Sequence, residues 1–129
     1  MRMKDIVFKE ARIINRGKMI EGDIWVRGDR IERIDPSISL QQQYTEVPVN
    51  GRYLIPGIID DQVHFREPGL EYKATIFSES RAAVAGGVTS FMEMPNTIPN
   101  ALTEGLLEDK YSIAAGTSLA NYSFFMGTS

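Results

Sequence analysis

Hydrophobic and polar residues alternate in short runs over the first fifty positions of the chain. Such period-two alternation is typical of half-buried β-strands. The runs lie at residues 6–9, 23–27 and 31–34. Gly28-Asp29 is a favoured two-residue hairpin loop, and Pro36 ends the third run. We therefore predict a meander of small antiparallel strands, followed by a polar loop over 36–46.

The pattern changes after residue 51, where longer apolar runs alternate with helical spacing. Three further strands are predicted, at residues 58–64 (a buried strand), 88–94 and 121–126. A helix is predicted within 72–85, and Gly86-Gly87 ends it. A second helix begins after Thr103, a favoured N-cap residue, and stops at Gly116. The order in this part of the chain is therefore β-α-β-α-β.

This order predicts the fold class. Strands that are separated by single helices are parallel and are joined by right-handed crossovers. We therefore predict an α/β protein whose second part holds the first three strands of a (β/α)₈ TIM-like barrel. A whole barrel of this kind needs roughly 250 residues, so we interpret the 129-residue chain as a fragment.

Composition excludes several classes of function. The net charge is −3, whereas a nucleic-acid-binding surface would be basic. The chain has no cysteine and one histidine, so it cannot form a disulfide, a thiolate metal site or a histidine-rich metal site by itself. The first residues lack the apolar core of a signal peptide, and no apolar run is long enough for a membrane span. We expect a cytoplasmic protein with neither a nucleic-acid nor a membrane partner.

The strand at 58–64 carries the residues most suited to metal chemistry. Side chains alternate along a strand, so Asp60, Gln62 and His64 are expected on one face and Asp61 on the other. In parallel sheets and barrels, active sites lie at the carboxyl ends of the strands. Neutral imidazole is a good zinc ligand, and an amide oxygen is a weak one. A lone histidine at a strand end is, however, more often a hydrogen-bonded polar residue than a ligand.

Two polar residues follow the predicted strand ends. Arg66 lies just beyond His64, where a guanidinium could hold a carboxylate with two parallel hydrogen bonds. The alternative is an ion pair with a nearby acid such as Glu67 or Glu71. Asn96 follows the next strand, and its alternative role is to bond its own loop backbone. A functional site is favoured because His64, Arg66 and Asn96 are all expected at the same edge of the sheet.

Several motifs together resemble the dihydroorotase branch of the cyclic amidohydrolases. They are Leu-Ile-Pro-Gly at 54–57, Phe-Arg-Glu-Pro-Gly at 65–69, the segment 81–89 and Met-Pro-Asn-Thr at 94–97. Related hydantoinases and dihydropyrimidinases generally lack an arginine that matches Arg66. The resemblance also implies that residues 1–54 are the amino-terminal part of a small β-sandwich domain. Residues 55–129 would then be the first β/α units of a metal-dependent hydrolase barrel.

The resemblance implies a reaction and a set of site residues. The reaction is the reversible cyclisation of N-carbamoyl-L-aspartate to L-dihydroorotate in pyrimidine biosynthesis, with a zinc-activated hydroxide attacking the ring amide in the hydrolytic direction. His64 matches the second histidine of the family's His-x-His zinc motif, and Arg66 and Asn96 match residues that hold the substrate carboxylate. The remaining ligands of one or two zinc ions, and the catalytic base, would lie after residue 129.

One residue departs from the family pattern. Gln62 replaces the first metal histidine, so this metal position would be weakened, shifted or lost. Asp61 has better ligand chemistry, but only a β-bulge would turn it inward, and we rank Gln62 first.

Two alternative functions therefore stay open: a catalytically silent dihydroorotase-like structural partner, and a related cyclic amidase of the dihydropyrimidinase or allantoinase type. We expect a small-molecule substrate, leave a homo-oligomer open, and expect no turnover from the 129 residues alone.

Overall fold

The computed structural model describes residues 5–128. Residues 1–4, where we predict no signal peptide, and Ser129 lie outside the described part. The chain forms two compact units that meet in sequence between Pro56 and Gly57. The strands are β1 (Asp5–Asn15), β2 (Lys18–Arg27), β3 (Arg30–Asp35), β4 (Thr45–Pro48), β5 (Tyr53–Leu54), β6 (Ile58–Val63), β7 (Val88–Glu93) and β8 (Asn121–Phe124), and the helices are α1 (Ile76–Ala85) and α2 (Glu104–Thr117). Neither helix is long and apolar enough to cross a membrane.

The amino-terminal unit is a five-stranded sheet. Its order is β3-β2-β1-β4, and β5 also pairs with β1. The antiparallel pairing of β1 with β2 and of β2 with β3 confirms the predicted meander, including the Gly28-Asp29 loop. Strands β4 and β5 were not predicted individually, and they differ from the antiparallel meander because they pair with β1 in parallel. The reason is that the loop after β3 carries the chain across to the other side of β1.

A buried carboxylate holds this unit together at a bulge in β1. The register of β1 on β2 shifts between Phe8 and Ala11, and Glu10 there has a φ of 57°. Asp23 on β2 is 2% exposed and accepts the backbone N–H of Glu10 at 2.9 Å and that of Ile38 at 2.8 Å. The Lys9 ammonium donates to the same carboxylate. Asp23 therefore fixes both the bulge and the loop that follows β3.

These contacts set the ionisation of Asp23. Desolvation by burial works to raise its pKa, but the hydrogen bonds from Lys9 and from the two backbone N–H groups outweigh burial and leave the pKa below its usual range. The carboxylate is therefore the form that the fold stabilises.

The carboxy-terminal unit is a parallel sheet in the order β6-β7-β8, with α1 and α2 as the crossovers. This confirms the predicted β-α-β-α-β order. Helix α1 begins later than predicted, because Thr75 caps it in a reciprocal pair of hydrogen bonds with Ser78. Tyr72 lies in a turn and is 80% exposed. Helix α2 continues through Gly116 to Thr117.

Aromatic rings form the core of this unit. Phe65 and Phe91 pack with their ring centroids 4.6 Å apart and their planes tilted by 47°, and Phe124 meets Tyr111 edge-on at 4.9 Å. Strand β6 was predicted to be buried, but Ile59 is 65% exposed. The physical reason is that β6 is an edge strand in the described residues, with a partner on one side only.

We predict that Asp23→Ala destabilises the chain by about 2 kcal/mol, because it leaves the partly buried Lys9 ammonium and the N–H groups of Glu10 and Ile38 without their acceptor. Urea unfolding followed by fluorescence of Trp25, the single tryptophan, would measure this in the same sheet. Because folding lowers the pKa of Asp23, its contribution is present above about pH 4 and is lost as the pH falls towards the folded-state pKa. Stability should therefore fall more steeply on acidification in the unsubstituted chain than in the variant.

Glu21→Ala is the matched control. Glu21 lies on the same strand and pairs with Arg12 at 3.4 Å, but its side chain is 73% exposed. We expect a change within about 0.5 kcal/mol. Equal losses from the two substitutions would contradict the role of Asp23.

Candidate active site

Two loops meet at the carboxyl edge of the parallel sheet, one after β6 and one after β7. The backbone N–H of Ile98 donates to the carbonyl of Pro68 at 3.0 Å. Gly69 makes this approach possible, because a Cβ there would lie 2.1 Å from the carbonyl oxygen of Ile98, and its φ is +87°. The loops are therefore fixed to each other, and each carries residues that the sequence analysis selected.

The first contact between these loops joins His64 to Asn96. The His64 Nδ1 atom lies 2.9 Å from the Asn96 Oδ1 atom. An amide oxygen can only accept a hydrogen bond, so Nδ1 carries the hydrogen and Nε2 keeps its lone pair in the neutral ring. A partner on one ring nitrogen is the usual way in which proteins orient a metal-binding histidine. No other side-chain hydrogen bond engages Asn96 within residues 5–128, which leaves its Nδ2 donors unused there.

Arg66 lies on the same loop as His64, in an uncommon backbone conformation. Its φ is 73°, in the left-handed region, and its N–H donates to the Glu93 Oε1 atom at 2.9 Å. Its carbonyl accepts the N–H of Leu70 at 3.1 Å. Both backbone groups of Arg66 are therefore committed, and the side chain alone is left to bind anything else.

The acids next to Arg66 are bonded elsewhere. Glu67 accepts the N–H of Ile76 at 2.7 Å, and Glu71 accepts the N–H of Gly69 at 2.7 Å, which lowers the pKa of Glu71 below its usual range. Within residues 5–128, no ion pair or hydrogen bond engages the Arg66 guanidinium. The alternative ion pair with Glu67 or Glu71 is therefore not formed.

The end of β6 is irregular. The register of β6 on β7 shifts between Asp60 and Val63, and Asp60 accepts the N–H of Gln62 at 3.1 Å. The neighbours Asp61 and Gln62 both line one open cavity of about 670 Å³, although strict alternation would place them on opposite faces. The alternative for Asp61 required an interruption of the strand, and the register shift lies at this point.

Some of the predicted site residues line this cavity, and others do not. Asn96, Asn100 and Met94 line it together with Asp61 and Gln62. His64 connects to it through its bond with Asn96, and Arg66 is not among the lining residues that the structure describes.

The described residues do not form a complete metal site. No group of three or more His, Cys, Asp or Glu side chains between residues 5 and 128 could hold a metal ion. The donor set nevertheless has suitable chemistry in part, since His64 supplies an imidazole with a free Nε2 lone pair and Asp61 and Gln62 supply oxygen atoms. These donor atoms are of types that zinc binds, while the described residues alone do not complete a metal site.

The sequence did not lead us to predict the ion pair of Glu93 and Lys110, which is buried beneath the two loops. Glu93 ends β7 and Lys110 lies in α2; both are 0% exposed, and their charged atoms are 3.1 Å apart. Burial raises the pKa of Glu93, against the opposing effect of the Lys110 ammonium and the Arg66 N–H. The spacing of α2 could have indicated that Lys110 is buried, because Lys110 falls between Leu107 and Ala114 on the apolar face of the helix.

We predict that His64 is protonated at Nδ1 in its neutral form and that Asn96→Ala removes this bias, because Nδ1 then loses its acceptor. Long-range ¹H–¹⁵N NMR of the imidazole at alkaline pH would distinguish the tautomers, and the single histidine gives an unambiguous signal. Asn100→Ala, a change of another amide that lines the cavity, is the control and should leave the tautomer unchanged. A tautomer that is the same with and without Asn96 would contradict the assignment.

Comparison with known sequences shows which protein family the chain matches. The family model described as Dihydro-orotase-like matches residues 51–119. A dihydroorotase from Anoxybacillus flavithermus is 40% identical over 94 residues, which are 72% of this chain and 22% of that protein. A dihydroorotase from Halobacterium salinarum is 36% identical over 115 residues, 86% of this chain and 26% of that protein. The chain thus spans about a quarter of the length of these curated relatives.

Solved structures agree on the fold. An L-hydantoinase (dihydropyrimidinase) from Arthrobacter aurescens has a TM-score of 0.91 at 25% identity, covering 97% of this chain and 28% of that one. A D-hydantoinase (dihydropyrimidinase) from a Thermus species has a TM-score of 0.76 at 29% identity, covering 94% and 27%. They confirm the predicted α/β fold class and the interpretation of the chain as a fragment of a barrel protein, whereas the small β-sandwich stays a prediction. Since the family model covers more than half of its residues, the chain belongs to the dihydro-orotase-like family of cyclic amidohydrolases.

Proposed function

We propose that this chain forms part of a zinc-dependent dihydroorotase, which interconverts N-carbamoyl-L-aspartate and L-dihydroorotate. The observation that carries the proposal is the His64–Asn96 hydrogen bond, since it joins a ligand-competent imidazole to an amide that keeps both its Nδ2 donors. The substrates on both sides of this reaction bear a carboxylate. A guanidinium and an amide donor on adjoining loops suit the recognition of that group.

Each residue of this chain would have a separate task. Arg66 would hold the substrate carboxylate through two parallel N–H donors, and Asn96 Nδ2 would donate to the same group. Asn96 Oδ1 would at the same time keep His64 in the tautomer whose Nε2 can bind a metal ion. When bound, zinc would supply Lewis-acid chemistry, polarising the ring amide carbonyl and activating water for attack on it. We propose turnover for the longer protein and not for the 129 residues by themselves.

One observation favours a related cyclic amidase that acts on uncharged rings. The hydantoinase structures, which are also called dihydropyrimidinases, superpose closely on this chain. Such rings lack the carboxylate, so Arg66 would have no partner in the substrate. The two functions therefore differ in what they require of Arg66.

A different observation favours a catalytically silent structural partner. Gln62 stands where the family motif has a metal-binding histidine, and an amide oxygen binds zinc weakly. Measured turnover of carbamoyl aspartate by the longer protein would eliminate this alternative.

We predict that Arg66→Ala in the longer protein lowers kcat/KM for dihydroorotate by roughly a hundredfold, mainly by raising KM, because a bidentate charge pair is lost. Arg66→Lys should recover only part of this loss, since an ammonium lacks the planar fork of donors. Steady-state kinetics with dihydroorotate and with uncharged dihydrouracil would test this. Unchanged kinetics on dihydroorotate in the alanine variant would remove the main support for the proposal and favour the uncharged-ring alternative.

We also predict that Gln62→His in the longer protein increases bound zinc by about one equivalent per chain, because imidazole replaces a weak amide ligand. Metal analysis after exhaustive dialysis would measure the stoichiometry. Asn100→His places an imidazole in the same cavity but off β6, and it should leave the zinc content unchanged. An equal gain in both variants, or in neither, would argue against a metal position at residue 62.

A further inference from the structure

The buried Glu93–Lys110 pair is an unusual feature of this core. Both side chains are fully buried, and the Lys110 ammonium also lies 5.0 Å from the centre of the Phe124 ring. Removing two charges from water is costly, and a buried ion pair is often no more stabilising than apolar residues of the same size. Its presence is therefore better explained by what else the two charged groups bind.

Each partner of the pair holds the end of a different strand. Glu93 accepts the N–H of Arg66 at 2.9 Å, at the start of the loop after β6. Lys110 donates to the carbonyl of Met94 at 3.1 Å, two residues before Asn96 in the loop after β7. The pair therefore connects the backbones that carry the two residues proposed to bind the substrate carboxylate.

The backbone of Arg66 needs such a partner. A φ of 73° places it in the left-handed region, which is costly for a residue with a Cβ atom. Residues in this region persist when the surrounding structure fixes them. The Glu93 carboxylate supplies a charged acceptor for the Arg66 N–H, and such hydrogen bonds are stronger than neutral ones.

We infer that Glu93 and Lys110 are positioning residues that hold the Arg66 and Asn96 loops in register for carboxylate binding. The inference rests on the proposed function for its substrate, but the positioning itself rests on the contacts above. Loss of the pair would leave the two loops joined only through their own contacts, such as Ile98 N–H to Pro68 and His64 to Asn96, so the substrate carboxylate would be held less tightly.

A second buried polar residue provides a matched control. Ser80 in α1 is 0% exposed and accepts the N–H of Leu119 at 3.1 Å, before the start of β8. This bond lies at the amino edge of the sheet, opposite the two loops. Ser80→Ala therefore weakens the same core without touching Arg66 or Asn96.

The experiment compares Glu93→Gln, Ser80→Ala and the double variant Glu93→Gln with Lys110→Met in the longer protein. Hydrogen–deuterium exchange of the peptides spanning 64–70 and 94–98 measures the loops directly, and steady-state kinetics gives KM and kcat for dihydroorotate. In Glu93→Gln, the amide can still accept the Arg66 N–H, but the buried ammonium loses its counter-charge. We expect exchange in both segments to accelerate at least tenfold and KM to rise about tenfold, with a smaller change in kcat.

The double variant distinguishes the contact of residue 93 with the Arg66 N–H from the contact of residue 110 with the Met94 carbonyl. It removes the unpaired ammonium and keeps an acceptor for Arg66, so exchange over 64–70 should return towards that of the unsubstituted protein. Exchange over 94–98 should stay fast, because the donor to the Met94 carbonyl is gone.

Two results would overturn the inference: unchanged exchange of both loops in Glu93→Gln, or equal acceleration of them in Ser80→Ala. Absence of dihydroorotate turnover in the unsubstituted protein would instead overturn the proposed function. The exchange measurement would then still decide whether the pair positions the loops.

Discussion

The parallel arrangement of β6, β7 and β8 is the constraint on which the candidate site depends. Because a helix returns the chain to the same end of the sheet after each strand, the strands all finish at one edge. His64 and Asn96 are 32 residues apart in sequence, yet their side chains meet at 2.9 Å at this edge. No local feature near either residue creates that contact. The topology creates it, and Gly69 then allows the two loops to pack closely.

The same topology explains how much the sequence could predict. Apolar runs and glycine positions were sufficient for the β-α-β-α-β order, since each element follows from its own local pattern. The direction of β4 and β5 depends on how the loop after β3 carries the chain to the other side of β1. The local sequence pattern does not predict this path. The irregular end of β6 was not predicted for a related reason. The register on β7 shifts between Asp60 and Val63, and the same residues could equally form a regular strand.

The buried pair was missed because charged residues are normally expected in water. Lys110 lies on the apolar face of α2, and Glu93 shares its strand face with buried Phe91 two residues earlier. If Glu93 or Lys110 is considered alone, the sequence predicts a charged side chain exposed to solvent. Only together do they make burial tolerable, since each neutralises the other and both bind backbone groups. Detecting such a pair from sequence requires knowing that β7 and α2 pack together, which is information about the fold.

The residues proposed for substrate and for metal are linked through Asn96. Its Oδ1 lies 2.9 Å from the His64 Nδ1 atom, and no hydrogen bond within residues 5–128 engages its Nδ2 donors. An amide that binds an anion through Nδ2 becomes more polarised, and its oxygen then becomes a stronger acceptor for the imidazole N–H. In the proposed function, binding of the substrate carboxylate would thereby strengthen the hydrogen bond that orients the His64 ring. This coupling does not involve residue 62, so the replacement of a histidine by Gln62 alters one proposed ligand but leaves the connection between the carboxylate site and His64 intact.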